Sequence, residues 1–249
     1  MSLAPAITET LFALDLGDRV IGRSDFGQTP PKVRDLPPVG TSLSPNFEAI
    51  ARLRPAVIVT DQSGAAHRES LARLAEVIEL PWLSVAEVAD GIRQLGERFD
   101  RRDRARSLAT RFEAVLSAEP PPDGIRVLFA LDGPDANEVW YLRRNSVHGH
   151  ALHAAGARNA IERDITGPAV LTPEELVRAK PDAIIVLAVD GETEAVRRRS
   201  RERFARLATL PAVRAGRIGA VVGSRFALPG PSSLDLVEAL SREIELLTP

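Results

Sequence analysis

The chain has 249 residues, of which 44% are hydrophobic and 27% are charged. This composition is typical of a globular protein with one large core or two modest ones. The net charge of −2 argues against a protein that holds nucleic acid in a basic field. The absence of cysteine excludes disulfides, a thiol nucleophile and cysteine-based metal sites, and no apolar run approaches the roughly 18 residues that span a membrane.

The first residues predict the end of a strand, a loop and a helix. We expect residues 4–6 to form the loop, and Thr8 and Glu9 to begin the helix, because short polar and acidic side chains satisfy free backbone N–H groups there. Gly17 then ends the helix. The segment has neither the basic start nor the long apolar run of a signal peptide.

Two further helix and strand pairs follow in the first third of the chain. Residues 20–22 predict a strand, and a proline-rich connection leads to FEAIARLRPAVIV at residues 47–59. Proline cannot continue a helix, so this segment predicts a short helix that ends before Pro55 and then a buried strand. Residues 67–78 predict a helix, and residues 81–85 predict a strand.

The longest helical pattern covers residues 86–118. Two apolar stripes are separated by a charged step at residues 100–104, which we interpret as a kink or a turn. The segment EPPPDG at residues 119–124 ends the pattern.

A second set of strands and helices occupies the rest of the chain. Its predicted strands cover residues 127–131, 139–142, 183–189 and 218–222, and its predicted helices include residues 146–161, 195–207 and 234–247. Within this set, the segment PEELVRAKPDAIIV at residues 173–186 has nearly the same pattern as FEAIARLRPAVIV, and it predicts a second short helix followed by a buried strand.

This repeat places one α/β lobe on each side of the long helix. We therefore predict an α/β fold of two lobes with mainly parallel sheets, joined by one long α-helix, with a ligand cleft between the lobes where the carboxyl ends of the strands meet. The predicted domains are an N-terminal α/β lobe at residues 1–85, a linking helix at residues 86–118 and a C-terminal α/β lobe at residues 119–249.

An ordered set of segments carries a family resemblance over essentially the whole chain. SLAPAITETLFALDLGDRVIG, LPPVG, NFEAIARLRPAVIV, AAGARNAI and PEELVRAKPDAIIV resemble the class III, or helical-backbone, substrate-binding proteins of ABC importers, which deliver vitamin B12, haem and ferric siderophores. The resemblance implies two lobes joined by one helix, a monomer that is not an enzyme, and an ABC transporter permease as partner. It also implies a periplasmic or extracytoplasmic location, so we attribute the missing signal peptide to trimming, with a cytosolic homologue as the less favoured alternative.

The same resemblance implies that a metal chelate is the ligand and that no cofactor is held. The opening segment is most similar to the vitamin B12-binding branch, so cobalamin is slightly favoured over haem or a ferric siderophore. Two other hypotheses stay open: a small-molecule enzyme on a doubly wound fold, and a signalling or interaction module that has lost transport. The enzyme hypothesis has no supporting motif such as G-x-S-x-G or G-x-G-x-x-G.

In the resembled family the ligand groove is lined by the loops that follow the strands. Aromatic rings supply flat apolar contact, and arginines supply forked donors to carboxylates or amides. The segment WYLRRN is the most informative, because two arginines beside the only tyrosine are unusual in a purely structural turn. The candidate residues are Pro5, Phe26, Asp61 and Gln62 in the first lobe and Tyr141, Arg143, Arg144, His148, Arg225 and Phe226 in the second.

The four histidines admit three interpretations. His148, His150 and His153 cluster in the sequence, and His67 lies in the other lobe. A protein-built zinc or manganese site requires three or four converging ligands, which this spacing does not supply, so no metal ligands are predicted. An axial bond from His148 or Tyr141 to a bound haem or cobalt centre stays open, and an ordinary helix surface is the favoured interpretation.

The resemblance also implies docking on the permease through an acidic residue on each lobe. The expected place is the helix that follows each repeated strand, which indicates Glu69 in the first lobe and Glu192 and Glu194 in the second. The alternative is that these acids only complement the dipole of their helices.

Overall fold

The computed structural model describes residues 1–134, 137–165 and 167–248. The chain forms two compact α/β units. The first comprises Met1–Glu113 and Leu228–Pro231, and the second comprises Ala114–Ala227 and Ser232–Pro249. In the part of the chain that the structure describes, no helix combines the length and the apolarity needed to cross a membrane.

The first unit is built around a short parallel sheet. Strand β1 (Val57–Asp61) pairs in parallel with β2 (Glu76–Leu80), and residues 1–3 run along the other side of β1 through bonds such as Leu3 N to Val59 O, 2.9 Å. Helices α1 (Pro5–Ala13), α2 (Phe47–Leu53) and α3 (Arg68–Ala72) accompany this sheet. A buried cluster that includes Leu3, Ile50, Ile58 and Leu71 forms the core.

Several predicted elements of this unit are wrong in extent. Helix α1 begins at Pro5, not after residue 6, because proline suits the first helical turn, where its missing N–H is not needed. Residues 20–22 form no strand. The predicted helix at residues 67–78 is the short α3, and the strand expected at residues 81–85 lies earlier, at β2, because the Glu76–Leu80 backbone bonds to β1.

The helix expected over residues 86–118 consists of two helices. Helix α4 (Val85–Arg98) begins with a capping box, in which Ser84 Oγ accepts from Glu87 N at 3.2 Å and Glu87 Oε2 accepts from Ser84 N at 2.9 Å. Helix α5 (Arg102–Leu116) follows a break at Asp100, whose φ of 59° is left-handed and cannot continue an α-helix. The charged step is therefore the turn, one of the two alternatives that the sequence left open, and the segment contains two helices.

The second unit contains a four-stranded parallel sheet in the order β5-β3-β7-β8. The strands are β3 (Arg126–Leu131), β5 (Arg158–Asn159), β7 (Ala183–Ala188) and β8 (Ile218–Val222). Every residue of β7 is buried, as expected for a central strand covered on both faces. The predicted α/β class with mainly parallel sheets is confirmed.

Helices and a small antiparallel pair surround this sheet. Strands β4 (Val139–Trp140) and β6 (Val170–Leu171) pair antiparallel. The helix predicted at residues 146–161 is shorter, because Gly156 with φ 90° follows its end and β5 then begins. The helices are α6 (Val147–Ala154), α7 (Pro173–Ala179), α8 (Thr193–Phe204), α9 (Pro211–Arg214) and α10 (Ser233–Leu247).

The repeated sequence folds into two matching local structures. Helices α2 and α7 each have seven residues and lead to the buried strands β1 and β7. Both helices end on a basic residue in the left-handed conformation, Arg54 with φ 45° and ψ 59° and Lys180 with φ 45° and ψ 57°. A proline follows each of them, and the shared left-handed cap makes the chain leave both helices in the same direction.

Candidate ligand-binding site

In the first unit, the loop after β1 carries Asp61 and Gln62. Asp61 Oδ1 accepts from Ser63 N at 3.1 Å and so caps the following 3-10 turn. Gln62 Oε1 accepts from the backbone N–H of Trp82 at 2.9 Å. Both side chains are half-buried and already hold local structure.

Trp82 is a structural residue of this region that sequence reasoning missed. Its side chain is buried, and its Nε1 donates to Pro229 O at 2.7 Å, which fastens the returning segment Leu228–Pro231 within the first unit. Gly91 lies against the indole, because a Cβ there would be 2.3 Å from Trp82 Cζ3. The rarity of tryptophan in the chain is the available signal, but no local pattern reports a partner so distant in sequence.

Phe26 and Pro5 differ in exposure. Phe26 is 72% exposed, although a phenylalanine ring is costly to leave in water. Pro5 is half-buried in the first turn of α1. Phe26 is therefore the most available apolar surface among the candidates of the first unit.

In the second unit, Arg143 and Arg144 both contact the loop before β6. Arg143 Nη1 donates to Ile165 O at 3.3 Å. Arg144 forms a two-bond pair with Asp164, with Nε to Oδ1 at 3.0 Å and Nη2 to Oδ2 at 2.8 Å. The Arg144 hydrogen bonds lower the pKa of Asp164. The two guanidinium groups thus hold the loop before β6 through hydrogen bonds to Asp164 and Ile165.

Tyr141 and His148 are buried. Tyr141 is 3% exposed, and desolvation raises the pKa of its hydroxyl. His148 Nε2 lies 2.8 Å from Phe226 O, so this nitrogen carries the proton and donates, because a carbonyl oxygen only accepts. Burial lowers the pKa of His148. The expected helix-surface position is wrong for His148, and its Nε2 is occupied by a protein carbonyl.

Arg225 and Phe226 occupy a 3-10 turn, Ser224–Phe226, that follows β8. The Phe226 ring is buried, whereas Arg225 is exposed. The Arg225 guanidinium lies 4.6 Å from the centroid of the Phe226 ring and pairs with Asp235 at 3.3 Å. The turn thus carries an exposed guanidinium group, that of Arg225, packed against the buried ring of Phe226.

The second unit also contains a polar cavity of about 540 Å³ beside α6. The rings of His150 and His153 meet there edge to face, with centroids 6.3 Å apart and an angle of 68° between their planes. Among the residues described, no three histidine or carboxylate side chains are placed to hold one metal ion. The charged and imidazole groups of the lining include Arg144, His150, His153, Arg158, Glu162 and Asp164.

The candidate docking acids lie at the starts of two helices. Glu69 is exposed in the first turn of α3, which comes after β1. Glu192 is the exposed N-cap residue of α8, which follows β7, and its side chain makes no capping bond. Glu194 in the first turn of α8 is exposed and pairs with Arg197.

Comparison with known proteins defines the class. A family model described as periplasmic binding protein matches residues 1–222, so the chain belongs to that family. The family resemblance inferred from the sequence is thereby confirmed.

Individual relatives match along most of the chain. An uncharacterized ABC transporter substrate-binding lipoprotein, YvrC of Bacillus subtilis, is 25% identical over 98% of this chain and 79% of that protein. The vitamin B12-binding protein of Salmonella typhimurium is 26% identical over 77% of this chain and 73% of that protein. A periplasmic heme-binding protein from Pseudomonas aeruginosa has the same fold, with a TM-score of 0.80 and 21% identity over 98% of this chain and 91% of that one.

Proposed function

We propose that this protein is the substrate-binding component of an ABC importer outside the cytoplasm, where it captures a metal chelate and presents it to the permease. The observation that carries this proposal is the similarity to an ABC transporter substrate-binding lipoprotein along 98% of the chain. The similarity extends over residues of both units.

A chelate whose metal is already fully coordinated fits the candidate site best. Tyr141 and His148 were the two side chains considered as axial ligands, and both are buried. His148 Nε2 is also bonded to Phe226 O. Cobalamin and ferric siderophores need no axial bond from these residues, whereas haem would require one from elsewhere. The vitamin B12-binding relative supports placing a corrinoid first.

The candidate residues divide into contact and support roles. We assign ligand contact to Phe26 and Arg225, whose side chains are exposed and supply an apolar face and a charged donor. Arg143 and Arg144 supply further donors on the second-unit loop that precedes α6. Pro5, Asp61, Gln62, Tyr141, His148 and Phe226 shape the loops from which these contacts are made.

Docking on the permease is assigned to Glu69, Glu192 and Glu194. Each lies exposed at the start of a helix that follows a repeated strand. Each unit therefore has exposed carboxylates at the corresponding position of its repeat. Changing all three to glutamine should abolish uptake while the purified protein keeps its ligand affinity. Glu48→Gln with Glu245→Gln is the matched control, because both are exposed acids on other helices. Full uptake by the triple variant would assign the acids to helix-dipole stabilisation.

The function itself is tested by uptake in cells that carry the cognate permease and ATPase but lack this protein. We expect labelled cyanocobalamin, haem or ferrioxamine B to accumulate only when the protein is restored. Accumulation of none of the three above the background of the deletion strain would reject the proposal.

A further inference from the structure

Helix α6 carries two consecutive residues, His148 and Gly149, that each hold a different loop. The buried His148 ring donates through Nε2 to Phe226 O, 78 positions along the chain, at 2.8 Å. This carbonyl belongs to the turn that follows β8 and bears Arg225.

Gly149 holds the other loop by having no side chain. A Cβ at this position would lie 2.2 Å from Arg143 O and 2.3 Å from Arg144 O, so only glycine lets the backbone of these residues rest on the helix. Ser146 completes the contact, because its Oγ donates to Arg143 O at 2.7 Å and accepts from Gly149 N at 3.2 Å.

Backbone hydrogen bonds also hold the turn after β8, and Gly223 N donates to Ala188 O at 2.9 Å. Phe226 N donates to Gly223 O at 3.0 Å, and Ala227 N donates to Ser224 O at 3.2 Å. Gly223 has a φ of 153°, and a Cβ there would lie 3.2 Å from the Phe226 ring. Loss of the His148 donor would leave the Phe226 carbonyl without this partner, at the cost of an unsatisfied polar group.

We infer that His148 and Gly149 are positioning residues that seat the two second-unit loops, residues 143–146 and 223–227, on one helix. This inference rests on the proposed function, because it assigns the orientation of Arg143, Arg144 and Arg225 toward a ligand to α6. His148 was a candidate for direct contact with the ligand. In this inference it instead positions the turn that bears Arg225, through its hydrogen bond to Phe226 O.

The seating is tested without ligand by hydrogen–deuterium exchange. His148→Leu removes the donor and retains an apolar side chain, and His148→Gln restores a donor near the position of Nε2. We expect amides of residues 223–227 to exchange about tenfold faster in His148→Leu and close to wild type in His148→Gln. His150→Leu, on the same helix, is the control and should leave these amides unchanged. Gly149→Ala should accelerate exchange at residues 143–146 instead.

Titration of the same variants with cyanocobalamin, haemin and ferrioxamine B separates the inference from the proposed function. If a probe binds the wild type, His148→Leu should weaken its binding about tenfold and His148→Gln should recover most of the loss. If a probe binds and His148→Leu binds it equally well, the positioning role is overturned while the function stands. If no probe binds the wild type, the proposed ligand class fails and the exchange result alone decides. Unchanged exchange at residues 223–227 in His148→Leu, or equal acceleration in His150→Leu, overturns the inference.

Discussion

Glu243 on α10 accepts a hydrogen bond from the edge strand β8 of the second-unit sheet. Its removal should therefore lower the free energy of unfolding. Its Oε1 accepts from Ala220 N in β8 at 3.0 Å, and Arg197 Nη2 contacts the two carboxylate oxygens at 2.8 and 2.9 Å. Strand β8 ends the sheet, so no further strand of the sheet is available to this N–H group. Burial lowers the pKa of Arg197, but its bonds to Glu243 contribute to a net rise in that pKa.

Glu243→Ala should destabilise the protein by about 3 kcal/mol. Removing one partner of a buried ion pair costs roughly 3–5 kcal/mol, and the Ala220 N–H also loses its acceptor. The lower end applies because the Arg197 side chain is 14% exposed and keeps its contact with Glu194. Glu243→Gln should cost only about 1–2 kcal/mol, since the amide oxygen can still accept from Ala220 N.

Urea unfolding with linear extrapolation measures both losses. Glu238→Ala is the matched control, because Glu238 lies on the same helix in an exposed pair with Arg242 at 3.6 Å and should cost less than about 0.5 kcal/mol. A loss in Glu243→Ala no larger than in the control would refute the reasoning. Equal losses in Glu243→Ala and Glu243→Gln would show that the Ala220 bond contributes nothing.

Three further predictions follow from the buried contacts and the arginines. Gly91→Ala should destabilise by about 1–3 kcal/mol, measured by urea unfolding, because its Cβ would overlap the ring of Trp82. Because burial lowers the pKa of His148, the unfolded chain takes up a proton near the ordinary value of 6.5 that the folded protein resists. The free energy of unfolding should therefore fall by up to about 1 kcal/mol as the pH drops from about 7.5 to 5.5, and His148→Gln should lessen this slope. Replacing Arg143 and Arg144 together by alanine should weaken ligand binding at least about tenfold in a titration while the protein stays folded; unchanged affinity would remove both from the site.

The helix and strand repeat was predictable because local chemistry decides it. A basic residue and a proline end each helix, and a β-branched run follows in both copies. The structure adds that Arg54 and Lys180 share one left-handed conformation, which the sequence pattern does not specify.

The errors arose where a local pattern admits two structures. Residues 76–80 continue an apolar helical pattern, and only their pairing with β1 makes them a strand. The break between α4 and α5 was visible as a charged step, but its position depends on Asp100 adopting a left-handed backbone. In the second unit, Gly156 separates α6 from β5 within a segment that reads as one helix.

The position of the loops that carry the candidate residues was predictable, but the orientation of their side chains was not. WYLRRN begins at the end of β4 and the turn with Arg225 follows β8, whereas His148 is buried and bonded to a carbonyl 78 positions away. No local pattern reports such a contact. Trp82 was overlooked for the same reason, because its partner Pro229 lies 147 positions away.

Equilibrium titration of the purified protein with cyanocobalamin, haemin and ferrioxamine B tests the central claim most directly. We predict that at least one chelate binds with a Kd below about 10 μM, equivalent to about −7 kcal/mol, and that cyanocobalamin is the first candidate. Binding of none of the three at that level would contradict the claim that this protein captures a metal chelate for import.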